Sequence, residues 1–415
     1  MRSFENGIDG MLISKTQKIK SINYILIIIW LVVFISISSS ISSSISYDAF
    51  KNIVNNEFTD YDYEILYNYS HYKLIRTIGR NHHYNGACLL SNGDYLVVAQ
   101  NSTSHVGPLN TSKISSWRSM DCGLTWSYNG DIYNGNPIYG ANGATIGTAP
   151  NGDIICFFQR IELTEPLKVS IQKFIPVDFP ELSPKFKYRL MYTQSFDFGY
   201  SWTSPKYLNE TCNDSGGCPS HFVIKNNTIY YVILSAYTNP NYNDIYVSND
   251  NGSIWTKRSR VQTTEVEAYG TIDVLPNGSF LFIDHRIEDS NSYYRYSHDD
   301  CYSWSKEKKM YYGDYPIYCR DPDLYIFVDN ESIIHYILHG RLKIKNSTYY
   351  FGFYHTTNLS NWEEKNFLVY CKSLGGYSSL IIEQNNSFYF IFSKVFKTIL
   401  ADLNWIRLNK IPLTE

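Results

Sequence analysis

The chain has 415 residues, with 36 Lys and Arg against 39 Asp and Glu, and its net charge of −3 excludes a general electrostatic attraction to nucleic acid. That length suits one large domain preceded by a short N-terminal region. Aromatic residues make up 16% of the chain and 38 residues are Tyr, a bias that fits β-strands first and carbohydrate platforms second.

The N-terminal region differs from the rest. Lys15, Lys18 and Lys20 precede an unbroken apolar run over residues 24–35, and a Ser/Ile tract continues to residue 46. The run alone resembles the apolar region of a signal peptide, and with its extension it reaches about 20 residues, enough to span a bilayer. Lysines on the N-terminal side place that end in the cytoplasm. The expected order is a cytoplasmic segment (residues 1–21), a hydrophobic helix acting as signal-anchor (22–46), a linker (47–74) and a folded domain (75–415). This describes a single-pass type II membrane protein with a lumenal or extracellular domain, or a secreted protein if the segment is cleaved.

Within the folded domain, runs rich in Tyr, Ile, Val and Phe alternate with turn signals. Residues 86–90 and 93–100 form the first pair, broken at Asn92-Gly93, and residues 144–146 and 154–158 form a second, broken at Asn151-Gly152. An insertion at about 160–187 carries four prolines. A third unit begins near Ser220, and a fourth has residues 271–275 and 280–283 around Asn277-Gly278. A fifth unit runs from Asp323 to Trp362 and a sixth covers residues 377–392.

An eight-residue pattern recurs between these runs. Its four copies are Ser119-Met-Asp121-Cys-Gly123-Leu-Thr125-Trp126, Ser195-Phe-Asp197-Phe-Gly199-Tyr-Ser201-Trp202, Ser248-Asn-Asp250-Asn-Gly252-Ser-Ile254-Trp255 and Ser297-His-Asp299-Asp-Cys301-Tyr-Ser303-Trp304. Asp and Gly two apart between strands make a hairpin turn: Gly takes the positive φ, the Asp carboxylate accepts backbone N–H groups, and the Trp starts the next strand. The Trp residues are 76, 53 and 49 residues apart, and a worn copy ending at Trp362 follows 58 residues later. Several strands per unit at this period predict a propeller.

The repeated turn resembles the Asp-box (BNR repeat) of the sialidase, or neuraminidase, superfamily, over roughly residues 75–410. The resemblance implies an all-β, six-bladed β-propeller with one blade closed by strands from both chain ends. It also implies a glycoside hydrolase acting on exposed glycans, with an altered substrate as one form of that reading. In the family a Tyr attacks the anomeric carbon, a Glu activates it, an Asp serves as acid/base, and three arginines hold the sugar carboxylate.

Carried onto this chain, Gly375-Gly376-Tyr377-Ser378 makes Tyr377 the nucleophile candidate. Glu267 becomes its activator, with Glu265 as an alternative and Tyr269 closer to the family position. Arg286 and Arg341 are carboxylate-binding candidates, and Arg320 in Arg320-Asp321-Pro322 is a further one. The first blade departs from the family: Tyr84-Asn85-Gly86-Ala87 stands where an Arg is expected, unless Arg76 or Arg80 reaches in. No Asp or Glu lies between Gln100 and Ser119, where His105 is the only titratable group suited to acid/base work near neutrality. The alternative is therefore a catalytically inactive, membrane-anchored propeller that binds glycans or proteins.

Export is supported by sequons at Asn68, Asn101, Asn110, Asn209, Asn213, Asn226, Asn330, Asn346, Asn358 and Asn385, with further ones at Asn251 and Asn277. Of the eight Cys, Cys212 and Cys218 are the pair expected to form a disulfide, since a five-residue loop joins them. No metal-ligand spacing is present and no cofactor is implied. The expected partners are a glycan or glycoprotein ligand and, through the N-terminal segment, a membrane.

Overall fold

The computed structural model of the protein describes residues 75–76, 82–102, 112–136, 139–163, 186–208, 216–217, 220–234, 242–263, 269–286, 290–312, 315–329, 332–344, 348–359, 367–372, 378–382, 388–396 and 400–408. Two compact units divide the chain, Met1–Tyr63 and Glu64–Glu415, and every described residue belongs to the second. The expected cytoplasmic segment, hydrophobic helix and linker lie outside the described residues. Among the described residues all regular elements are strands, and no helix is long and apolar enough to cross a membrane.

The strands form successive antiparallel sheets. After β1 (Ile75–Arg76), the first sheet holds β2 (His82–Leu89), β3 (Tyr95–Asn101), β4 (Lys113–Ser119) and β5 (Ser127–Asn134). The second holds β6 (Tyr139–Thr148), β7 (Ile154–Leu163), β8 (Phe186–Ser195) and β9 (Lys206–Tyr207). In the third, β10 (Gly216–Gly217) and β11 (Val223–Lys225) both pair with β12 (Thr228–Leu234), followed by β13 (Tyr242–Ser248) and β14 (Thr256–Gln262). The fourth holds β15 (Gly270–Val274), β16 (Phe280–Arg286), β17 (Asn291–Ser297) and β18 (Lys308–Lys309). A hairpin of β19 (Tyr311–Tyr312) and β20 (Tyr315–Pro316) leads into a sheet of β21 (Cys319–Val328), β22 (Ile334–Ile344), β23 (Thr348–Thr356) and β24 (Phe367–Lys372). The last sheet holds β25 (Ser378–Ile382), β26 (Phe388–Phe396) and β27 (Leu400–Leu408), with β1 added at its outer edge, Ile75 opposite Trp405.

Each sheet follows chain order, and successive side chains on a strand point to opposite faces. On β3, Leu96 and Val98 pack with Ile146, Ile154, Cys156 and Phe158 of the second sheet. Their neighbours Tyr95, Val97 and Ala99 pack with Ile381 of the last sheet. The same division recurs around the molecule: Phe157 meets Tyr231 and Trp255, Val232 meets Ile272 and Phe282, and Ile283 meets Cys319 and Leu338. Strands buried on both faces need unbroken apolar runs, which is what the sequence supplies at residues 95–99, 154–158 and 229–234. The arrangement of the sheets is propeller-like.

The repeated turns share one hydrogen-bond network. In the second copy the Ser195 hydroxyl donates to Asp197 and accepts from the Gly199 N–H at 2.7 Å, while Asp197 accepts from the Ser201 N–H at 2.8 Å. The first and fourth copies repeat all three bonds. The third does so too, with Ile254 donating only its backbone N–H. The second, third and fourth turns are also gripped by the preceding sheet. Arg118 and Asn129 donate to the carbonyls of Phe198 and Gly199, Tyr192 and Gln194 to those of Ser253 and Asn251, and Lys225 pairs with Asp300.

Strand register separates two ends. Phe280 pairs with both Val274 and Ser297, so the hairpin turns at 275–279 and the repeated turns share one end. Arg286, at the finish of β16 opposite Asn291, and Arg341, opposite Arg320, lie at the other. That second end is called the mouth below.

Candidate functional site at the mouth

Arg286 and Arg341 sit on neighbouring sheets at the mouth, both less than a tenth exposed. Neither guanidinium is bare. Arg286 donates to Glu307, which also accepts from Arg295, and its guanidinium lies 3.9 Å from the centre of the Tyr293 ring. Arg295 reaches Asp284 at 3.4 Å. Arg341 donates to Asp321. Arg320 is half-buried, faces Arg341 across the ladder, and adds its charge beside Asp321.

A kink in β21 brings Asp321 there. Register shifts between Arg320 and Asp323, Asp321 takes a φ of 52°, and Pro322 between them can donate no ladder bond. Gly340 on β22 makes room: its φ is 152°, and a Cβ there would lie 2.7 Å from the Arg320 carbonyl oxygen. Burial alone would raise the Asp321 carboxyl, but Arg341, Arg320 and His285 outweigh it and hold the group below the ordinary carboxylate value. Asp284 goes the other way: burial lifts it to about 6 against the pull of Arg295 and Arg286. His285, next to Arg286, is fully buried between Tyr269 and Tyr318, and burial brings it down to about 4.

The first sheet contributes a neutral group. Asn85 is 1% exposed; its amide lies 3.4 Å from the Ser379 hydroxyl, which donates back to the Asn85 carbonyl at 2.9 Å. Ser379 is two residues beyond Tyr377, so Asn85 stands beside the strand that Tyr377 leads into. Arg76 pairs through its backbone with Asn404. Tyr377, Glu267, Glu265, Arg80 and His105 lie outside the described residues. Tyr269, near the expected position of the family Glu, is buried against His285.

Sequence reasoning missed a second polar cluster that bridges several sheets. Asp323 accepts from the His221 backbone N–H and the Thr271 hydroxyl, both at 3.2 Å, and His221 Nδ1 lies 3.0 Å away. His339 approaches the same carboxylate at 3.5 Å, and Asp273 lies 3.8 Å from His221 Nε2. The Tyr325 ring stacks on His221, centroids 3.9 Å apart, and its hydroxyl donates to the Leu380 carbonyl at 3.0 Å. The third unit is expected to begin near Ser220; in the structure β10 and β11 both pair with β12, and His221 lies just before β11. No local residue pattern announces that placement.

Of the expected sequons, Asn226, Asn277 and Asn358 are exposed, whereas Asn101 is half-buried with its amide 3.4 Å from Ser115. Asn251 is half-buried in its turn. Asn68, Asn110, Asn209, Asn213, Asn330, Asn346 and Asn385 lie outside the described residues, as do Cys212 and Cys218. Four described cysteines, Cys88, Cys156, Cys301 and Cys319, are buried free thiols. Among the described residues no group of three His, Cys, Asp or Glu side chains is placed to hold a metal ion.

No family model matches the sequence, and no curated protein does. Solved structures match the fold. A protein of unknown function from Dyadobacter fermentans is 15% identical with a TM-score of 0.61, over 81% of this chain and 97% of that one. Trypanosoma rangeli sialidase is 13% identical with a TM-score of 0.57, over 80% of this chain, and this chain spans 55% of that enzyme. The intramolecular trans-sialidase of Ruminococcus gnavus is 12% identical with a TM-score of 0.55, over 78% and 94% of the two chains. The fold of this chain is thus that of a sialidase-like propeller.

Proposed function

We propose that the protein is a sialidase-like glycoside hydrolase acting on exposed glycans, with its site at the mouth. The observation that carries this reading is the pairing of a sialidase-type propeller with Arg286 and Arg341 on adjacent sheets at one end. The trypanosomal enzyme has been solved with sialic acid. In the proposed reaction the Tyr377 oxygen attacks the anomeric carbon as Glu267 takes the phenol proton. The bond to the departing sugar breaks and its oxygen takes a proton from solvent; water then attacks the anomeric carbon, breaking its bond to the Tyr377 oxygen, which regains a proton through Glu267 while water's proton returns to solvent.

Localisation belongs to the same proposal. Residues 22–46 anchor the chain, and the propeller faces the lumen or the outside, where glycans are displayed. Selective protease access to the propeller only from the lumenal or outer side tests this arrangement.

The second reading, a glycan-binding propeller without catalysis, is favoured by Asn85 and by the lack of Asp or Glu between Gln100 and Ser119. One assay separates the two. The full chain is incubated with a panel of fluorogenic glycosides, neutral and acidic, beside its Tyr377→Phe variant. The enzyme reading expects release by the wild type and a loss of about 100-fold or more in the variant. Equal rates would remove Tyr377 from the chemistry, and release by neither, with glycan binding retained, would establish the second reading.

A further inference from the structure

The mouth's cationic positions are matched from within. Asn85 offers a neutral amide where the family places an arginine. Arg341 is bonded to Asp321, whose side chain is 1% exposed, and Arg286 shares Glu307 with Arg295. Two buried carboxylate oxygens, Asp321 Oδ1 and Asp284 Oδ1, have no hydrogen-bond partner among the described residues. Against them stands Arg286 Nε, also without a partner among the described residues. What completes a carboxylate oxygen is an O–H or N–H donor; a second carboxylate is repelled by it. We propose that the mouth takes an uncharged, hydroxyl-rich sugar, and that Asp321 is the specificity-determining residue that turns carboxylated sugars away.

This rests on the reading of the mouth as a glycan site and names its substrate class. A ligand carboxylate brought to Arg341 meets a guanidinium whose charge is already answered and a fixed anion beside it. Displacing Asp321 would leave that carboxylate buried without its partner, and the kink at Asp321–Pro322 together with the contact at Gly340 keeps it in place. Because Arg341 and Arg320 hold Asp321 below the ordinary carboxylate value, the pair persists from mildly acidic to neutral pH. A neutral sugar asks for no displacement, since it brings no charge to compete with Asp321 for Arg341.

The test is binding of the full chain to an immobilised panel of neutral glycans and the same glycans capped with sialic acid or a uronic acid. The wild type is expected to favour the neutral member of a matched pair by about tenfold or more, and Asp321→Asn, which keeps shape but removes charge, to narrow or reverse that ratio. A second measurement needs no variant: wild-type binding to its best glycan should hardly change as NaCl rises from about 50 to about 500 mM, whereas capture of a carboxylate would weaken. A wild-type preference for the acidic member, or a ratio unmoved in a folded Asp321→Asn protein, overturns the assignment of Asp321 while leaving a glycan site. Binding to no glycan of either kind by folded protein overturns the glycan reading itself.

Discussion

Ser195 shows what each repeated turn depends on. Its buried hydroxyl is both the acceptor for the Gly199 N–H and a donor to Asp197. Ser195→Ala leaves a buried N–H unmet, and such a group costs about 1–3 kcal/mol; urea unfolding of the variant should show a lower midpoint with an unchanged slope. The Asp of the turn adds a pH signature. In the fourth copy, bonds from the Ser303 hydroxyl, the Ser303 N–H and Ser297 hold Asp299 down to about 2. A depressed carboxyl contributes above its unfolded value of 3.8 and is lost as pH falls through about 2, so the melting temperature should drop across that window. The residue pattern made the Ser, Asp and Trp roles legible. It did not reveal that the residue before the glycine also takes positive φ, at 53°, 58°, 56° and 55° for Cys122, Phe198, Asn251 and Asp300. That position varies in side chain, so no pattern marks it. Cys301 holds the glycine place at a φ of 66° while buried in the core, where its side chain contributes packing that glycine lacks.

Among the elements, β21 and β22 illustrate what strand reading can and cannot give. The sequence shows a fifth unit over Asp323–Trp362 and offers Arg320 and Arg341 as carboxylate-binding candidates, which the structure resolves into β21 and β22. The kink was not legible, because a register shift is a property of two strands and each was read alone. Asp321 was quoted only as part of a tripeptide, yet it is the residue that engages Arg341. Gly340 is the element's weak point. An alanine there would strain a φ of 152° and press against two β21 carbonyl oxygens and Cys319. Gly340→Ala should cost about 2 kcal/mol or more and, by moving the kink, disturb the Arg341–Asp321 pair of the proposed glycan site as well. Gly86 is a control in a different place. Its added Cβ would meet the β6 backbone at Thr145 and Ile146, both 2.7 Å away, forcing the first two sheets apart. Thermal melting of Gly86→Ala should fall comparably, and a variant as stable as the wild type would show that the two sheets can separate at little cost.

For the molecule as a whole, a polar hub joins several sheets where an apolar core would serve stability alone. Asp323 joins His221 of the third sheet, Thr271 of the fourth and His339 of its own, while Tyr325 reaches the last sheet at Leu380. Backbone N–H groups of Val274 and Ile326 donate to Asp273. Hub groups titrate with different signs. Burial lifts Asp273 to about 6 against the pull of His221, so the unfolded carboxyl ionises from 3.8 while the folded one keeps its proton, and stability falls across that interval. Burial would lower His221, but Asp323 and Asp273 outweigh it and raise it; its contribution is full below 6.5 and fades as pH climbs through the folded value. Asp323, despite burial, is drawn to about 2 by His221 and His339, and stabilises above 3.8. Together they place the hub's best stability at about pH 4, with a decline toward neutrality. Asp273→Asn removes the ionisation and keeps one acceptor. Relative to the wild type, the variant should gain on the order of 1–3 kcal/mol between about pH 4 and pH 7, read from denaturant unfolding at each pH. A difference that stays flat over that range would mean that Asp273 stays ionised throughout, and that water or a cation, not burial, sets its charge in the folded protein.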